Sequence, residues 1–259
     1  MSTLSQMTWP QIRAMQEKCP LLVLPLGATE QHGPALPIGT DTIIAEALCR
    51  EACRRAGVPW APPLAYTSSG GHTVKWPGTF SVTPKTFIDI LVQWSRWAVS
   101  TGWKKILFVN AHAGNAAPLR VAVDQIRLEL LGKVQVGSVD TFTMSPEIAT
   151  LFTRDAADLH ANQAECDLLL HLMPDAVDRG VFPQADDPDR TAGKVLCYPV
   201  SQTSLNGTTG RPSLGDAGEG ARLFEAMVVE LSGLLLRAIA EEPPLPPEEW
   251  CGVPDNFYS

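Results

Sequence analysis

The residues best suited to chemistry follow the apolar run Leu21–Leu26. Glu30 and His32 lie two positions apart, so an extended backbone points both side chains the same way. Asp41 follows after a turn rich in glycine and proline. Each residue alone also fits an ordinary interpretation. Glu30 and His32 could form a surface ion pair, and Asp41 could be a helix N-cap.

Two later segments carry groups of the same kinds. His112 lies in the small-residue turn Asn110–Asn115, which follows a second apolar run. His160 and Glu165 are five positions apart, a spacing that lets both face one pocket if His160 precedes a helix. Taken singly, His112 could be satisfied by local backbone, and Glu165 could be an exposed helical glutamate.

Together these groups predict a metal site. Imidazole and carboxylate ligands without a thiolate suit Zn or Mn, and less well Mg or Fe. The candidates exceed what one four-coordinate ion takes, so we expect two divalent ions with one carboxylate shared between them, for which Asp41 is the natural choice. Such a pair lowers the pKa of a bound water toward about 7, which favours attack on a carbonyl. The predicted ligands are Glu30, His32, Asp41, His112 and Glu165.

The elements that must position these groups alternate between strands and helices. The pattern predicts strands at Leu21–Leu26, Lys104–Val109 and Val134–Val139. Alternation of this kind is typical of an α/β fold with a parallel sheet, whose sites form at the carboxyl ends of the strands. The predicted helices are Thr42–Ala56, Thr86–Ser100, Ala116–Leu131, Gln163–Leu172 and Gly220–Ala240.

Two segments lack this alternation. Residues 179–216 are rich in Gly, Pro, Ser, Thr and Asp, and we expect a long surface excursion that serves as a lid or an oligomer contact. Residues 241–259 form a Pro-rich, acidic tail, which we expect to be extended over the surface or disordered. One domain over 1–259 is the simplest organisation.

Bulk composition excludes some partners. The net charge of −8 and the pI of about 5.1 disfavour binding to nucleic acid. No apolar run approaches the roughly 20 residues needed to cross a membrane, and no signal peptide is visible in the first residues. The six cysteines are scattered without a C-x-x-C pair. We therefore expect a cytoplasmic protein with reduced thiols that acts on a small molecule.

At these motifs the sequence resembles a known family. Leu24–Pro34 (LPLGATEQHGP), followed by Gly39-Thr-Asp41, resembles the opening motif of the creatininase (creatinine amidohydrolase) family. The resemblance continues through Trp76–Thr79, Asn110–Asn115 and His160–Glu165, and it reaches a late Gly-Asp pair at 215–216. It therefore covers nearly the whole chain.

The resemblance implies a fold and a reaction. The family's fold is a three-layer αβα sandwich around a mainly parallel sheet, in homo-oligomers that are often hexamers. It implies an amidohydrolase acting on carbon–nitrogen bonds other than peptide bonds. It places Glu30, Asp41 and His112 on one metal, and His32, Asp41 and Glu165 on the other. His160 matches a general acid/base histidine, which we expect to act together with Glu165.

Substrate contacts are predicted at two further positions. His72, in the Ser-Ser-Gly-Gly-His run that begins at Ser68, is expected to face the pocket and bind substrate. A surface loop histidine is the alternative. Trp76, which opens the family-like Trp-Pro-Gly-Thr motif, is the second expected substrate contact.

Two departures from creatininase bear on the substrate. Creatininase has a ligating glutamate where this chain has Gly114, which leaves Glu165 as the replacement ligand. It also has a tryptophan and a glutamate shortly before its general-base histidine, and Asp155–Leu159 contains neither. We therefore do not expect creatinine as the substrate. The alternatives are a metal-dependent peptidase, a ring-ketone carbon–carbon hydrolase, or a noncatalytic metabolite-binding relative.

Overall fold

The computed structural model describes residues 3–72 and 74–252, and its sheet is parallel throughout. Strands β1 (Leu21–Leu26), β2 (Lys105–Asn110) and β3 (Gln135–Asp140) lie in the order β1-β2-β3. Strand β1 is buried along its whole length, as its unbroken apolar sequence requires of a strand covered on both faces.

Helices follow and flank these strands. The predicted strands and helices lie within three residues of the observed bounds, whereas α1, α5, α7 and α8 were not predicted. The helices are α1 (Trp9–Gln16), α2 (Thr40–Ala56), α3 (Pro84–Ser100), α4 (Ala116–Glu129), α5 (Pro146–Phe152), α6 (Gln163–Leu172), α7 (Phe182–Ala185), α8 (Val200–Thr203) and α9 (Ala217–Ala240).

The side chains of β1 alternate between two cores. Leu21 and Val23 pack in a core with residues of α2, α6 and α9. Leu22 and Leu24 pack in a second core with residues of α3 and α4. Each fully buried leucine contributes roughly 1.5–3 kcal/mol of transfer free energy to these layers. The arrangement is the three-layer αβα sandwich predicted from the sequence, with the sheet in the middle.

Segment 179–216 is folded against the body of the protein. It contains two short helices, α7 and α8, which its composition did not predict. Short antiparallel bridges tie Asp187 to Gly210 and Thr209 to His160. The segment therefore reaches the neighbourhood of the predicted site.

The described part of the tail, 241–252, begins beside the sheet. The Nζ of Lys105 donates hydrogen bonds to the last turn of α9, including one of 2.8 Å to the carbonyl of Ile239. The rest of the predicted tail, 253–259, lies outside the described residues. Within 3–72 and 74–252, no helix is long and apolar enough to cross a membrane.

Candidate metal centre

The loop after β1 brings Glu30 and His32 against the start of α2. A Cβ at Gly27 would lie 2.4 Å from the Cα of Thr42, so only glycine lets the strand end approach the helix this closely. Thr42 Oγ1 donates to the carbonyl of Ala28 at 2.9 Å and fixes the contact. Gly39 is the N-cap of α2, so the N-cap interpretation of Asp41 was wrong.

Asp41 lies between two imidazoles. Its Oδ1 is 3.2 Å from Nε2 of His32, and its Oδ2 is 3.2 Å from Nδ1 of His112. All three side chains are buried. Each carboxylate oxygen thus faces a different histidine, which is the arrangement a shared carboxylate needs.

One further carboxylate flanks each histidine. Oε2 of Glu30 is 3.4 Å from Nε2 of His112, and Oε2 of Glu165 is 3.9 Å from Nε2 of His32. The ligand atoms of Glu30, Asp41 and His112 lie within 4.8 Å of one another, as do those of His32, Asp41 and Glu165. A third group of the same kind joins Glu30, His32 and His160. All five predicted ligands therefore meet at one place, with Asp41 in both main groups.

Several potential metal-ligand atoms of this cluster are buried without a hydrogen-bond partner. They are Oε1 and Oε2 of Glu30, Nε2 of His32, Oδ2 of Asp41 and Oε2 of Glu165. An unpartnered buried carboxylate costs several kcal/mol, so such atoms are expected to bind a cation. Their nitrogen and oxygen character fits Zn or Mn. The residues present therefore fit a divalent metal centre.

Neighbouring groups fix the orientation of the histidines. Nδ1 of His32 lies 3.1 Å from the carbonyl oxygen of Glu30 and donates to it in the tautomer that leaves the Nε2 lone pair facing Asp41. Nε2 of His112 likewise lies 3.0 Å from the carbonyl of Ser68, which leaves its Nδ1 lone pair facing Asp41. In the neutral form that can bind a metal, each ring thus has an unshared electron pair on the nitrogen that faces Asp41.

Charge and burial shift the pKa values of the cluster strongly. Burial raises the pKa values of Glu30 and Glu165 to about 7. Burial alone would lower the pKa of His32, but the adjacent Asp41 carboxylate outweighs it and raises that pKa to about 10. Glu30 and Asp41 in the same way overcome burial and raise the pKa of His112 to about 9. Without metal, the two histidines thus carry the protons that neutralise the carboxylates.

His160 precedes α6 and faces the cluster. Its Nε2 donates to the carbonyl of Gln31 at 2.8 Å, and its Nδ1 is 3.4 Å from Oε1 of Glu30. Asn162 caps α6 by accepting from the backbone N–H of Glu165 at 3.2 Å, so one short segment positions both residues of the predicted pair. His160 and Glu165 are both buried.

Gln31 is a site residue that the sequence interpretation missed, although it lies inside the opening motif. Its Oε1 accepts from the N–H of Gly33 at 2.9 Å, which orients the amide. Its Nε2 then lies 3.2 Å from Nδ1 of His72 and 3.1 Å from the carbonyl of Gly207. Because Nδ1 of His72 accepts this bond, the proton of that neutral ring resides on Nε2. Burial, followed by the charges of His112 and His32, lowers the pKa of His72 to about 3.

A cavity of about 470 Å³ opens above the cluster. His72 lines it, as do the metal-ligand candidates Glu30, Asp41, His112 and Glu165. Trp76 is not among the lining residues that the structure describes, and Nζ of Lys75 lies 4.6 Å from the centre of its ring. Substrate binding by His72 and by Trp76 therefore remains a prediction.

Gly114 leaves no room for a side chain. A Cβ there would lie 2.4 Å from Nε2 of His112 and 2.8 Å from the carbonyl oxygen of Ser68. The His112 ring thus occupies the space into which a glutamate at this position would project. The departure from creatininase at Gly114 is therefore matched by the packing around it.

Comparisons with known proteins agree on one family. The family model for creatininase, described as creatinine amidohydrolase, matches residues 5–235. The mycofactocin precursor peptide peptidase of Mycolicibacterium smegmatis is 35% identical over 224 residues, which cover 83% of this chain and 84% of the relative. The 3-dehydro-scyllo-inosose hydrolase of Thermotoga maritima is 28% identical over 278 residues, with coverages of 94% and 86%. A crystal structure of creatinine amidohydrolase (creatininase) has the same fold, with a TM-score of 0.82 at 23% identity, covering 93% of this chain and 98% of that one.

Proposed function

Because this chain belongs to the creatininase family, whose characterised relatives are hydrolases, we propose that it is a two-metal amidohydrolase with a small substrate other than creatinine. The bond that it cleaves is a carbon–nitrogen bond of an amide, lactam or formamide. The expected ions are Zn or Mn, two per subunit.

One observation carries this proposal: the buried carboxylate and imidazole atoms around Asp41 that have no hydrogen-bond partner. Asp41 is common to both main groups of potential ligands. A noncatalytic metabolite-binding relative would not need to keep this arrangement, because burying it without a cation is costly. The donor set therefore favours an enzyme.

The residues divide into ligands and groups that act on the substrate. Glu30, Asp41 and His112 would hold one ion, and His32, Asp41 and Glu165 the other. The ions, when bound, supply Lewis-acid polarisation and an activated water. The remaining steps belong to side chains that face the same cavity.

His160 is proposed to move protons in this reaction. Amide cleavage needs a proton delivered to the leaving nitrogen, because an amide anion is a poor leaving group, and a positioned histidine can deliver it. His160 is buried beside Glu30, within reach of the cavity that it lines. His72 is proposed to hold the substrate, because its Nε2–H is the proton left available when Gln31 engages Nδ1.

A peptidase is the second candidate, and the similarity to the mycofactocin precursor peptide peptidase favours it. The same ligands and the same proton donor would serve, because a peptide bond is also an amide. The two candidates differ in the substrate that the cavity would admit, which is a peptide for one and a small amide for the other. Cleavage of peptides but not of lactams or formamides would favour the peptidase.

A substrate screen on the metal-loaded protein tests the proposal. The panel contains lactams, formamides, short peptides, ring ketones and creatinine. We expect turnover of at least one amide class, loss of that turnover on chelation, and negligible creatinine hydrolysis. Turnover of ring ketones alone would contradict the carbon–nitrogen specificity. Creatinine turnover at a typical enzyme's kcat of about 1–10³ s⁻¹ would contradict the exclusion of creatinine.

A further inference from the structure

Asp158 lines the cavity but belongs to none of the groups of potential metal ligands. Within the described residues, no donor is recorded for its carboxylate. Its backbone N–H donates to Oδ2 of Asp189 at 3.2 Å, and the N–H of Ala157 donates to the same oxygen at 3.0 Å. Segment 179–216 therefore fixes the backbone of Asp158 and leaves its side chain available to a ligand.

The carboxylate of Asp189, in contrast, is already engaged in hydrogen bonds. Its Oδ1 accepts from the backbone N–H and the hydroxyl of Thr191, at 2.7 and 2.6 Å. Burial, followed by the charge of Asp189, raises the pKa of the Asp158 carboxyl.

The described lining of the cavity provides no lysine or arginine to pair with Asp158. Lys75 lies close in sequence to the lining residue His72, but its Nζ donates to the carbonyl of Ser204 at 2.6 Å. The residues that line the cavity also include the aromatic Tyr198, followed by Pro199 and Val200. A carboxylate with an aromatic ring in the same cavity is a common way to bind an ammonium group.

The electrostatics of the cavity are therefore polarised. Two divalent ions would more than neutralise the carboxylates of Glu30, Asp41 and Glu165, whereas Asp158 lines the same cavity outside the groups of potential metal ligands. A substrate with its carbonyl at the ions and a cationic nitrogen toward Asp158 would match this field. An anionic substituent at the same position would be repelled.

We propose that Asp158 is a specificity-determining residue that binds a protonated amine of the substrate. The substrate class is then small amides that carry a second, cationic nitrogen outside the scissile bond. This inference rests on the proposed amidohydrolase function and narrows it.

Matched substrate pairs test the inference. Each pair joins an amine-bearing compound, such as 3-amino-2-piperidone or Ala-Ala amide, with its N-acetylated counterpart, which is neutral. We expect the wild-type protein, loaded with Zn or Mn, to prefer the amine by on the order of tenfold in kcat/KM. Asp158→Asn should abolish that preference and keep turnover of the neutral member.

Controls separate specificity from damage. Asp175→Asn removes the same charge from an exposed position away from the cavity lining and should keep the wild-type preference. Metal content and thermal denaturation of Asp158→Asn should match the wild type. Turnover without a preference for the amine, or a preference that survives in Asp158→Asn, would overturn the inference and leave the proposed function standing.

A binding measurement decides the case in which no pair is turned over. That outcome would count against the proposed function, and calorimetric titration of the same pairs would then test Asp158 independently. Tighter binding of the amine to wild type than to Asp158→Asn would support the inference. Equal binding, or no binding of either member, would overturn it.

Discussion

Gly114 lies against the ring of His112, a predicted ligand of the proposed centre. The space that a Cβ would need is filled by the His112 ring and by the carbonyl of Ser68. His112 is held in turn by that carbonyl and by Asp41. The ring therefore cannot retreat without losing its contact with the shared carboxylate.

We predict that Gly114→Ala weakens the metal site that includes His112. The new methyl group would displace the ring, and overpacking of this kind typically costs about 1–3 kcal/mol of folding free energy. Metal analysis should show the content falling toward one ion per chain. Gly233→Ala is the control, because its Cβ would meet only the flexible end of Arg237, at 3.5 Å. Unchanged metal content in Gly114→Ala would contradict the assignment of His112.

His160 carries the sharpest mechanistic prediction. We expect His160→Ala to keep its metals and fold while kcat falls by roughly 10²–10⁴. His160→Gln is a second variant that can keep the hydrogen bond to the Gln31 carbonyl but cannot transfer the proton. Metal analysis and steady-state kinetics on one preparation provide the test. A loss of metal in parallel with activity would indicate that His160 instead supports Glu165. Full activity would contradict both roles.

The segment before α6 connects that helix to segment 179–216 through Asp155. Asp155 accepts hydrogen bonds from Nδ2 of Asn162 at 3.1 Å, from the N–H of Gln163 at 3.0 Å and from the N–H of Arg211 at 2.7 Å. It thereby couples the start of α6, which positions Glu165, to segment 179–216.

Removing the Asp155 carboxylate should weaken the proposed metal centre although Asp155 is not itself a predicted ligand. We predict that Asp155→Ala lowers the free energy of unfolding by about 1–3 kcal/mol and weakens metal binding by roughly 10–100-fold. Asp186→Ala is the matched control, because Asp186 accepts two hydrogen bonds from Ser213 and none from α6. Competition with a metal-binding dye measures the affinities. Equal affinities in the two variants would show that Asp155 does not position Glu165.

Strands and long helices were predictable, because the apolar run of β1 and the periodicity of α6 specify their own structure. The short helix α5 was not, because seven residues carry too little periodicity. The ligands were recognised by type and by family motif. Their contacts, such as Glu165 with His32, join positions far apart in the chain and depend on the packing of α6 against α2. Gln31 and Asp158 were missed because their partners, Gly207 and Asp189, lie in segment 179–216, whose path no local pattern specifies.

For the molecule as a whole, the fold class, the family and the hydrolase activity predicted from the sequence are confirmed. Organisation as one domain, assembly into homo-oligomers and a cytoplasmic location stay predictions. So do the roles assigned to individual site residues. The net charge of −8 is a property of the whole chain and does not identify the site.

Metal binding should be coupled to proton release. In the metal-free protein the pKa values of His32 and His112 are raised to about 10 and about 9, so both rings are protonated near neutral pH. Only neutral imidazole binds a metal, so affinity should rise as pH rises toward these values and fall as pH falls. Zinc titrations near pH 8, where Glu30 and Glu165 with pKa values of about 7 are mostly ionised, in buffers of different protonation enthalpy should show about two protons released per chain. His32→Gln should release fewer. No release would contradict the assignment of the two histidines.

The central claim is that Asp41 bridges two divalent ions, and metal stoichiometry tests it most directly. Elemental analysis of the wild-type protein after reconstitution with Zn or Mn should give about two ions per chain. Asp41→Asn should lose both ions, because the bridging group loses its charge, whereas Asp175→Asn should keep both. One ion or none in the wild type would contradict the two-metal centre. Loss of a single ion in Asp41→Asn would show that Asp41 is not the bridge.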